Sequence, residues 1–327
     1  MLIAAATTGC ERSAAELSLG GQTMGTTWSI KAVDCQENQC ADLQPIIERR
    51  LEALNHSLSH FEPDSEIALF NQSSDSGWMP VSQDTATVVA YALSVSKLSG
   101  GAFDITLARA INAWGFGNVE AGEIPEAAAL LEVRSHTGYE KLELRQSPRA
   151  LRKLDPRVQI NLSAIAKGYA VDQLVYVLEA RGLDRFMVEI GGEIRTAGNR
   201  ADGQPWRIGI QPPTEYMQIE YIVTPGDAAV ATSGDYRNFY MLDGRRISHT
   251  IDPATAQPIL NQIASASVIA PDAMQADALA TALMVMGPDE ASRFAQQHDI
   301  AMLLLVRNGQ DVKPIASAAF TPYLLSN

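Results

Sequence analysis

A mixed α/β fold is the class this sequence predicts, and three observations predict it. From about Gly20 onward, apolar alternation of period two and apolar recurrence at helical spacing take turns, with no repeat, linker or low-complexity break between them. The stretch Ile160 to Asp172 runs an apolar approach through a small-residue turn into a helical pattern, which reads as a strand, a tight turn and a helix start. The chain has 327 residues, 46% hydrophobic and 19% charged, enough for one large domain or two intimately packed ones. A formal charge of −13 argues against sequence-independent nucleic-acid binding, which needs a basic surface. A phosphate-bearing small ligand would therefore need local donors or a divalent cation.

The elements follow in chain order. Residues 1–19 read as a residual lipoprotein signal and flexible terminus, and residues 20–327 as the folded domain. Met1 to Gly9 is small and apolar and leads into Thr7-Thr8-Gly9-Cys10, which would make Cys10 a lipidated first residue. The run lacks a basic start and is shorter than a usual signal core, so we expect a start that is truncated or assigned too far downstream; an unprocessed flexible terminus is the alternative. No stretch approaches the roughly 20 uninterrupted apolar residues of a membrane-spanning helix. In an oxidising compartment Cys35 and Cys40 would close a small disulfide loop.

Thr26, Trp28 and Ile30 alternate as an opening strand, with Met24-Gly25 just before it. A helix over Ile46 to Leu58 stops before Pro63, and Ser65 begins a second, short one through Phe70. Phe61, at the break, is either a core plug or an aromatic wall. Thr85 to Ser99 is a helix closed by Gly100-Gly101. Asp104, beside Phe103, either holds a ring nitrogen or ribose hydroxyl of a ligand or caps a helix while Phe103 is buried. Arg134 to Leu154 supplies two short strands, Val158 and Ile160 a further strand, and Ser163 a cap for the helix that continues to Arg181.

Phe186 to Ile190 is a buried strand ending in Gly191-Gly192, which permit a bulge or a close backbone approach to a ligand. Strands at Trp206 to Gln211 and Tyr221 to Val223 join through Pro212-Pro213, and a tight turn at Asp243-Gly244 delivers Ser248-His249-Thr250. His249, between two hydroxyls, is the most chemically suggestive histidine, although a lone histidine is usually structural. Val268 to Ala270 is a strand, and a helix running through Met286 follows. Asp277 and Thr281 stand four residues apart on one face of that helix; hard oxygens at this spacing suit magnesium, whereas the bland reading is a helix-dipole partner. A strand at Ala301 to Val306 and an apolar tail close the chain.

The motifs Thr23-Met24-Gly25-Thr26, Gly101-Ala102-Phe103-Asp104 with Trp114-Gly115-Phe116-Gly117, Leu162 to Asp172, Gly191-Gly192-Glu193, Thr232 to Asn238, Ser248 to Pro253 and Ala276 to Thr281, in this order, resemble the ApbE family of FAD:protein FMN transferases. The resemblance covers nearly the whole chain from Gly20. It implies a single T-fold-related domain with two packed halves around a flavin cleft. It also implies a reaction in which FAD is cleaved at its pyrophosphate, FMN is joined by a phosphoester to a threonine of an acceptor protein, and AMP leaves. Met24, Phe61, Ala102, Phe103, Asp104, Lys167 and Ile251 would contact FAD; the Ala164 carbonyl, Asp277 and Thr281 would hold Mg2+; His249 would deprotonate the acceptor hydroxyl. The acceptors implied are subunits of Na+-translocating NADH:quinone reductase or Rnf-type complexes, on the periplasmic side of the inner membrane, where a Cys10 anchor would hold the enzyme.

The sequence departs from the family pattern at Leu107 to Ala113, where a small, proline-containing run is usual, and at Asn161, where an Asp often stands. Two rival readings stay open: a Mg2+-dependent FAD pyrophosphatase releasing FMN and AMP, and a periplasmic flavin-binding lipoprotein.

Overall fold

The computed structural model describes residues 15–117, 124–211, 221–236, 238–242, 245–309 and 311–325. Its centre is an eight-stranded sheet. In chain order the strands are β1 (Glu16–Thr23), β2 (Thr26–Val33), β3 (Phe186–Ile190), β4 (Glu193–Ala197), β5 (Ala229–Gly234), β6 (Ile263–Ala270), β7 (Ala301–Asn308) and β8 (Asp311–Ala316). They lie side by side in that same order, every neighbouring pair antiparallel. The four helices that matter most for the site are α1 (Leu43–Leu58), α2 (Gln83–Leu98), α3 (Ala166–Glu179) and α4 (Ala273–Met286). Helix α3 packs on β3 and β4, α4 on β4 to β6, and the two helices on each other. The class is mixed α/β, as the alternating patterns predict.

Side-chain alternation puts both faces of the sheet to use. On one face Ala231, Ala266, Val268 and Leu304 join the helical core, which also holds Ile47, Leu174 and Leu283. On the other, Val230, Ile269, Leu303 and Leu305 pack under Ile208, Ile210, Val223 and Phe320. Each large apolar side chain so buried contributes about 1.5–3 kcal/mol. Helix α4 can lie close to the sheet because its inner residues are small: Ala273, Ala276, Ala280 and Ala282 are all fully buried. A third cluster, with Leu107, Trp114, Leu130, Ile247, Ile251 and Ala256, ties the helices Ala108–Ala113 and Ala127–Ser135 to the segment around His249. Trp114 Nε1 donates to the Ala256 carbonyl at 2.9 Å and Tyr240 Oη to the Trp114 carbonyl at 2.9 Å.

Register brings two tight turns to one end of the sheet. Thr23 faces Thr26 across Met24-Gly25, and Ile190 faces Glu193 across Gly191-Gly192. Trp28 pairs with Ile190, so the two turns are neighbours, and the Gly191 N–H donates to the Thr27 carbonyl at 3.1 Å. The end of β5 with Ser233 reaches the same edge, because Val230 already pairs with Ile194.

Several local expectations are corrected. Gly191-Gly192 is a two-residue hairpin turn with φ of 60° and 102°, so no bulge forms. Val158 to Leu162 makes one isolated bridge, Leu107 to Gln159, and joins no ladder. Its backbone is satisfied otherwise: the Ile160 N–H donates to Asn71 Oδ1 at 2.7 Å and the Asn161 N–H to the Ile105 carbonyl at 2.8 Å. Ser163 does not cap α3; its N–H donates to Asn161 Oδ1 at 2.8 Å in a turn that delivers the chain to Ala166. The helices Ala127–Ser135 and Pro288–Gln297 and strand β8 were not anticipated. Ser65 does cap its short helix, accepting from the Ala68 N–H at 3.0 Å. Gly100-Gly101 closes α2 with φ of 61° and 89°. Cys35 and Cys40 are joined as a disulfide, Cα–Cα 6.2 Å. Cys10, Pro212-Pro213 and Asp243-Gly244 lie outside the described residues. No helix among the described residues is long and apolar enough to cross a membrane.

Candidate active site

The first wall of the site is the Met24-Gly25 turn. A two-residue hairpin of this twist needs positive φ at both positions, where Asn and Gly fit best. Met24 takes φ 49° all the same. Met24 and Gly25 line a cavity of about 360 Å³ whose other walls include Asn55, Leu58, His60, Phe61, Ser163 and Lys167. Phe61 is a wall and not a core plug: it is 60% exposed, with its ring 3.9 Å from that of His60. Ser59 Oγ holds this bend by accepting from the Phe61 and Glu62 N–H groups at 3.1 and 3.2 Å. Burial lowers the His60 pKa to about 4, so its imidazole is neutral at physiological pH.

The floor is the junction of α3 and α4. Gly168 is where the helices meet, since a Cβ there would run into the Ala273 carbonyl. The contact lets the Gly168 N–H donate to Asp277 Oδ2 at 3.1 Å. Asp172, one turn further along α3, accepts from the Ala273 and Met274 N–H groups at 2.9 Å each and pairs with Arg195 at 2.8 Å. Asp172 thus satisfies the first N–H groups of α4 from outside, beside the N-cap Asp272, which accepts from the Gln275 N–H at 2.8 Å, and so ties α3 to the helix that carries Asp277. Thr281 follows one turn after Asp277, with its Oγ1 3.1 Å from Ser233 Oγ on β5. Lys167 at the start of α3 pairs with Glu193 Oε1 at 2.7 Å.

Two buried carboxylates therefore share this floor. Burial pushes the Asp277 pKa up, while the charge of Lys167 and the Gly168 N–H pull it down. Burial also raises Glu193, opposed by Lys167 and reinforced by the charge of Asp277. Among the described residues no three His, Cys, Asp or Glu side chains cluster as a metal site. A cation here would draw instead on one carboxylate, Asp277, with the neutral oxygens of Thr281 and the Ala164 carbonyl. This donor set is hard and oxygen-only, and it suits Mg2+, which binds through one or two carboxylates plus water and substrate phosphate. The buried charge of Asp277 is what such a cation would offset.

His249 is not part of the cavity lining and is linked to it through the charge of Lys167. Its Nδ1 lies 2.9 Å from the Asn238 carbonyl, and because a carbonyl only accepts, Nδ1 carries the proton and Nε2 the lone pair. Burial lowers its pKa; the charge of Lys167 lowers it further, while the hydrogen bond to Asn238 and the charge of Asp235 oppose. Asp235 is itself clamped by Arg307 through bonds of 2.6 and 2.7 Å.

Other residues named from sequence lie elsewhere or face inward. Phe103 and Ile251 are each 2% exposed, in the first and third cores, and neither lines the cavity. Asp104 is spent on a turn: Oδ1 accepts from the Thr106 N–H and Oγ1 at 2.7 and 2.6 Å, and Oδ2 from the Tyr139 N–H at 2.9 Å. The 102–104 segment therefore has the half-buried Ala102 and its backbone to offer, not the Phe103 ring. Ala164 stands in the turn just before α3. In sequence, Glu193, Asp172 and Ser233 stand out only as members of the motifs around them. Glu193 had one sequence signal, a charged residue directly after a glycine turn.

An apolar and aromatic rim with an ammonium beside buried carboxylates is the lining of a cleft for a small molecule. The chain belongs to the ApbE family, whose profile matches residues 24–304. It is 42% identical to the FAD:protein FMN transferase of Vibrio cholerae over 97% of this chain and 95% of that one. It is 35% identical to the FAD:protein FMN transferase of Escherichia coli, over 94% and 89%. Among solved structures it is similar to the flavin transferase ApbE from Vibrio cholerae, with TM-score 0.88, 41% identity and coverage of 95% and 100%. The apo form of the Pseudomonas stutzeri flavinyl transferase ApbE matches with TM-score 0.87, 35% identity and coverage of 96% and 98%.

Proposed function

We propose that this chain transfers FMN from FAD to a threonine hydroxyl of an acceptor protein in a Mg2+-dependent reaction that releases AMP. The observation that carries the reading is the state of His249, a neutral imidazole with its Nε2 lone pair available, within the field of Lys167. An unactivated hydroxyl needs such a base near neutral pH. The hydroxyl oxygen bonds to the flavin-side phosphorus, the bond from that phosphorus to the bridging oxygen breaks, and AMP leaves with that oxygen. The hydroxyl proton passes to His249 Nε2 and from there to solvent or the leaving phosphate. Lys167 offsets charge on the pyrophosphate, and Met24 and Phe61 flank the cleft. Asp277, Thr281 and the Ala164 carbonyl would hold Mg2+, which when bound supplies charge neutralisation at the phosphates.

The test is incubation with FAD, Mg2+ and an acceptor domain carrying a flavinylation threonine, reading acceptor mass and free FMN together. The expected result is a gain of one FMN that EDTA abolishes. Free FMN with no gain on any acceptor would move the reading to hydrolysis, and intact FAD throughout would sink it.

Export and anchoring at Cys10 belong to the same proposal, with electron-transport subunits of the Na+-translocating reductase or Rnf type as acceptors. The Thr7-Thr8-Gly9-Cys10 sequence and the Cys35–Cys40 disulfide, at home in an oxidising compartment, support it. In cells, Cys10→Ala should release the protein from the membrane fraction; unchanged fractionation would refute the anchor.

A further inference from the structure

We propose that Glu193 is a positioning residue, which fixes the Lys167 ammonium at the cleft floor in the one place where it meets the pyrophosphate. The proposal rests on the reading of the cleft as an FAD site. Glu193 is 3% exposed whereas the Lys167 side chain is 29% exposed, so the carboxylate lies beneath and the ammonium above it faces the cavity. The hairpin turn is shaped for this pair. Gly191 has φ 60°, and a Cβ there would press on Thr26 Cγ2 at 2.9 Å and on the Lys167 stem at 3.3 Å. Glycine at this position leaves a groove for the lysine chain and starts β4 with Glu193 directly under the ammonium.

Stability does not account for the glutamate. Glu193 Oε2 is buried with no hydrogen-bond partner, and Asp277 adds a like charge nearby. A buried ion pair with one unsatisfied oxygen is often no more stable than an uncharged pair of the same shape. What the pair supplies is placement. A lysine stem has several rotatable bonds, and an anchored ammonium binds a phosphate without first losing that freedom.

The experiment compares wild type, Glu193→Gln, Lys167→Met and the double variant, with Glu193→Asp as a charge-retaining control. Readouts are FAD affinity by flavin fluorescence in EDTA and in Mg2+, kcat and KM for FMN transfer, and thermal midpoint. Glu193→Gln should raise the FAD Kd and KM about 10-fold with a smaller change in kcat and no fall in midpoint. Glu193→Asp should recover part of the affinity. Lys167→Met should cost clearly less in the Glu193→Gln background than in wild type, because the lysine there is already misplaced. Additive losses, or a Glu193→Gln protein that loses midpoint but keeps its FAD affinity, would overturn the proposal by making Glu193 structural. If Glu193→Gln does not fold, an unchanged affinity in Glu193→Asp overturns it instead. A wild-type chain that binds no FAD would overturn the reading of the cleft and the proposal together; FAD binding equal in wild type and Glu193→Gln would overturn the proposal alone.

Discussion

At the scale of single residues the chemistry depends on protonation states that burial sets. His249→Ala should lower the FMN transfer rate by roughly 10²- to 10⁴-fold, the usual worth of a general base, while leaving most FAD affinity in place. Full transfer by that variant would remove His249 from the mechanism. Because burial and Lys167 depress its pKa below the ordinary 6.5, the imidazole stays competent under mildly acid conditions. The acid limb of kcat/KM should therefore fall below pH 6.5, and a limb above 6.5 would contradict the environment described. His60 provides a stability counterpart. Its folded pKa of about 4 lies under the unfolded 6.5, so acidification through that window protonates the unfolded chain first. Its contribution is complete above pH 6.5 and lost as pH falls through about 4. His60→Phe should flatten the melting-temperature profile between those values; an identical slope would assign the loss to other groups. Asp277 and Thr281 were legible in sequence because helical spacing alone places them on one face. Phe103 and Ile251 have their side chains in the first and third cores, an orientation on which a motif match is silent. Glu193 carries one sequence signal, its place directly after a glycine turn, and its partner becomes visible only with the Lys167 contact.

At the scale of elements the site depends on how closely α3 and α4 approach. Gly168 permits the contact and Asp172 fixes it. Gly168→Ala forces a Cβ against backbone that has no rotamer to yield, so the helices must separate. The expected cost is about 1–3 kcal/mol of stability by chemical denaturation, as for other overpacking. It should be accompanied by weaker Mg2+ dependence of transfer, since Asp277 loses the Gly168 N–H and its aim. A variant with normal stability and normal metal titration would mean that the contact is not the constraint. The glycine stands in Ala166-Lys167-Gly168-Tyr169, where sequence announces only the start of a helix. Helical and strand elements with strong periodicity, such as α1, β2 and α4, were legible for that reason. Residues 158–162 were not, because their backbone is satisfied by Asn71 and Ile105, and side-chain substitutes for a ladder leave the same apolar pattern as a strand.

At the scale of the whole molecule, alternating patterns predict an α/β class but not the strand order. The order arises from pairings such as Trp28 with Ile190, across a long intervening stretch of helices and a small three-stranded sheet, and nothing local to either strand specifies it. Net charge, by contrast, is read straight from composition, and it has a consequence for how substrate arrives. A chain of formal charge −13 repels an anionic dinucleotide at long range, and among the described residues lining the cavity Lys167 reverses the sign locally, as a bound cation would. Salt screens the long-range repulsion over about 8–10 Å at 0.1–0.15 M but reaches the buried floor much less. The association rate of FAD, measured by stopped-flow flavin fluorescence at saturating Mg2+, should therefore rise as NaCl is increased from low ionic strength, while the dissociation rate changes little. A site whose local positive field extended into solvent would give the opposite slope. An association rate that falls with salt would mean that attraction at the cleft mouth, and not the acidic body of the protein, governs encounter.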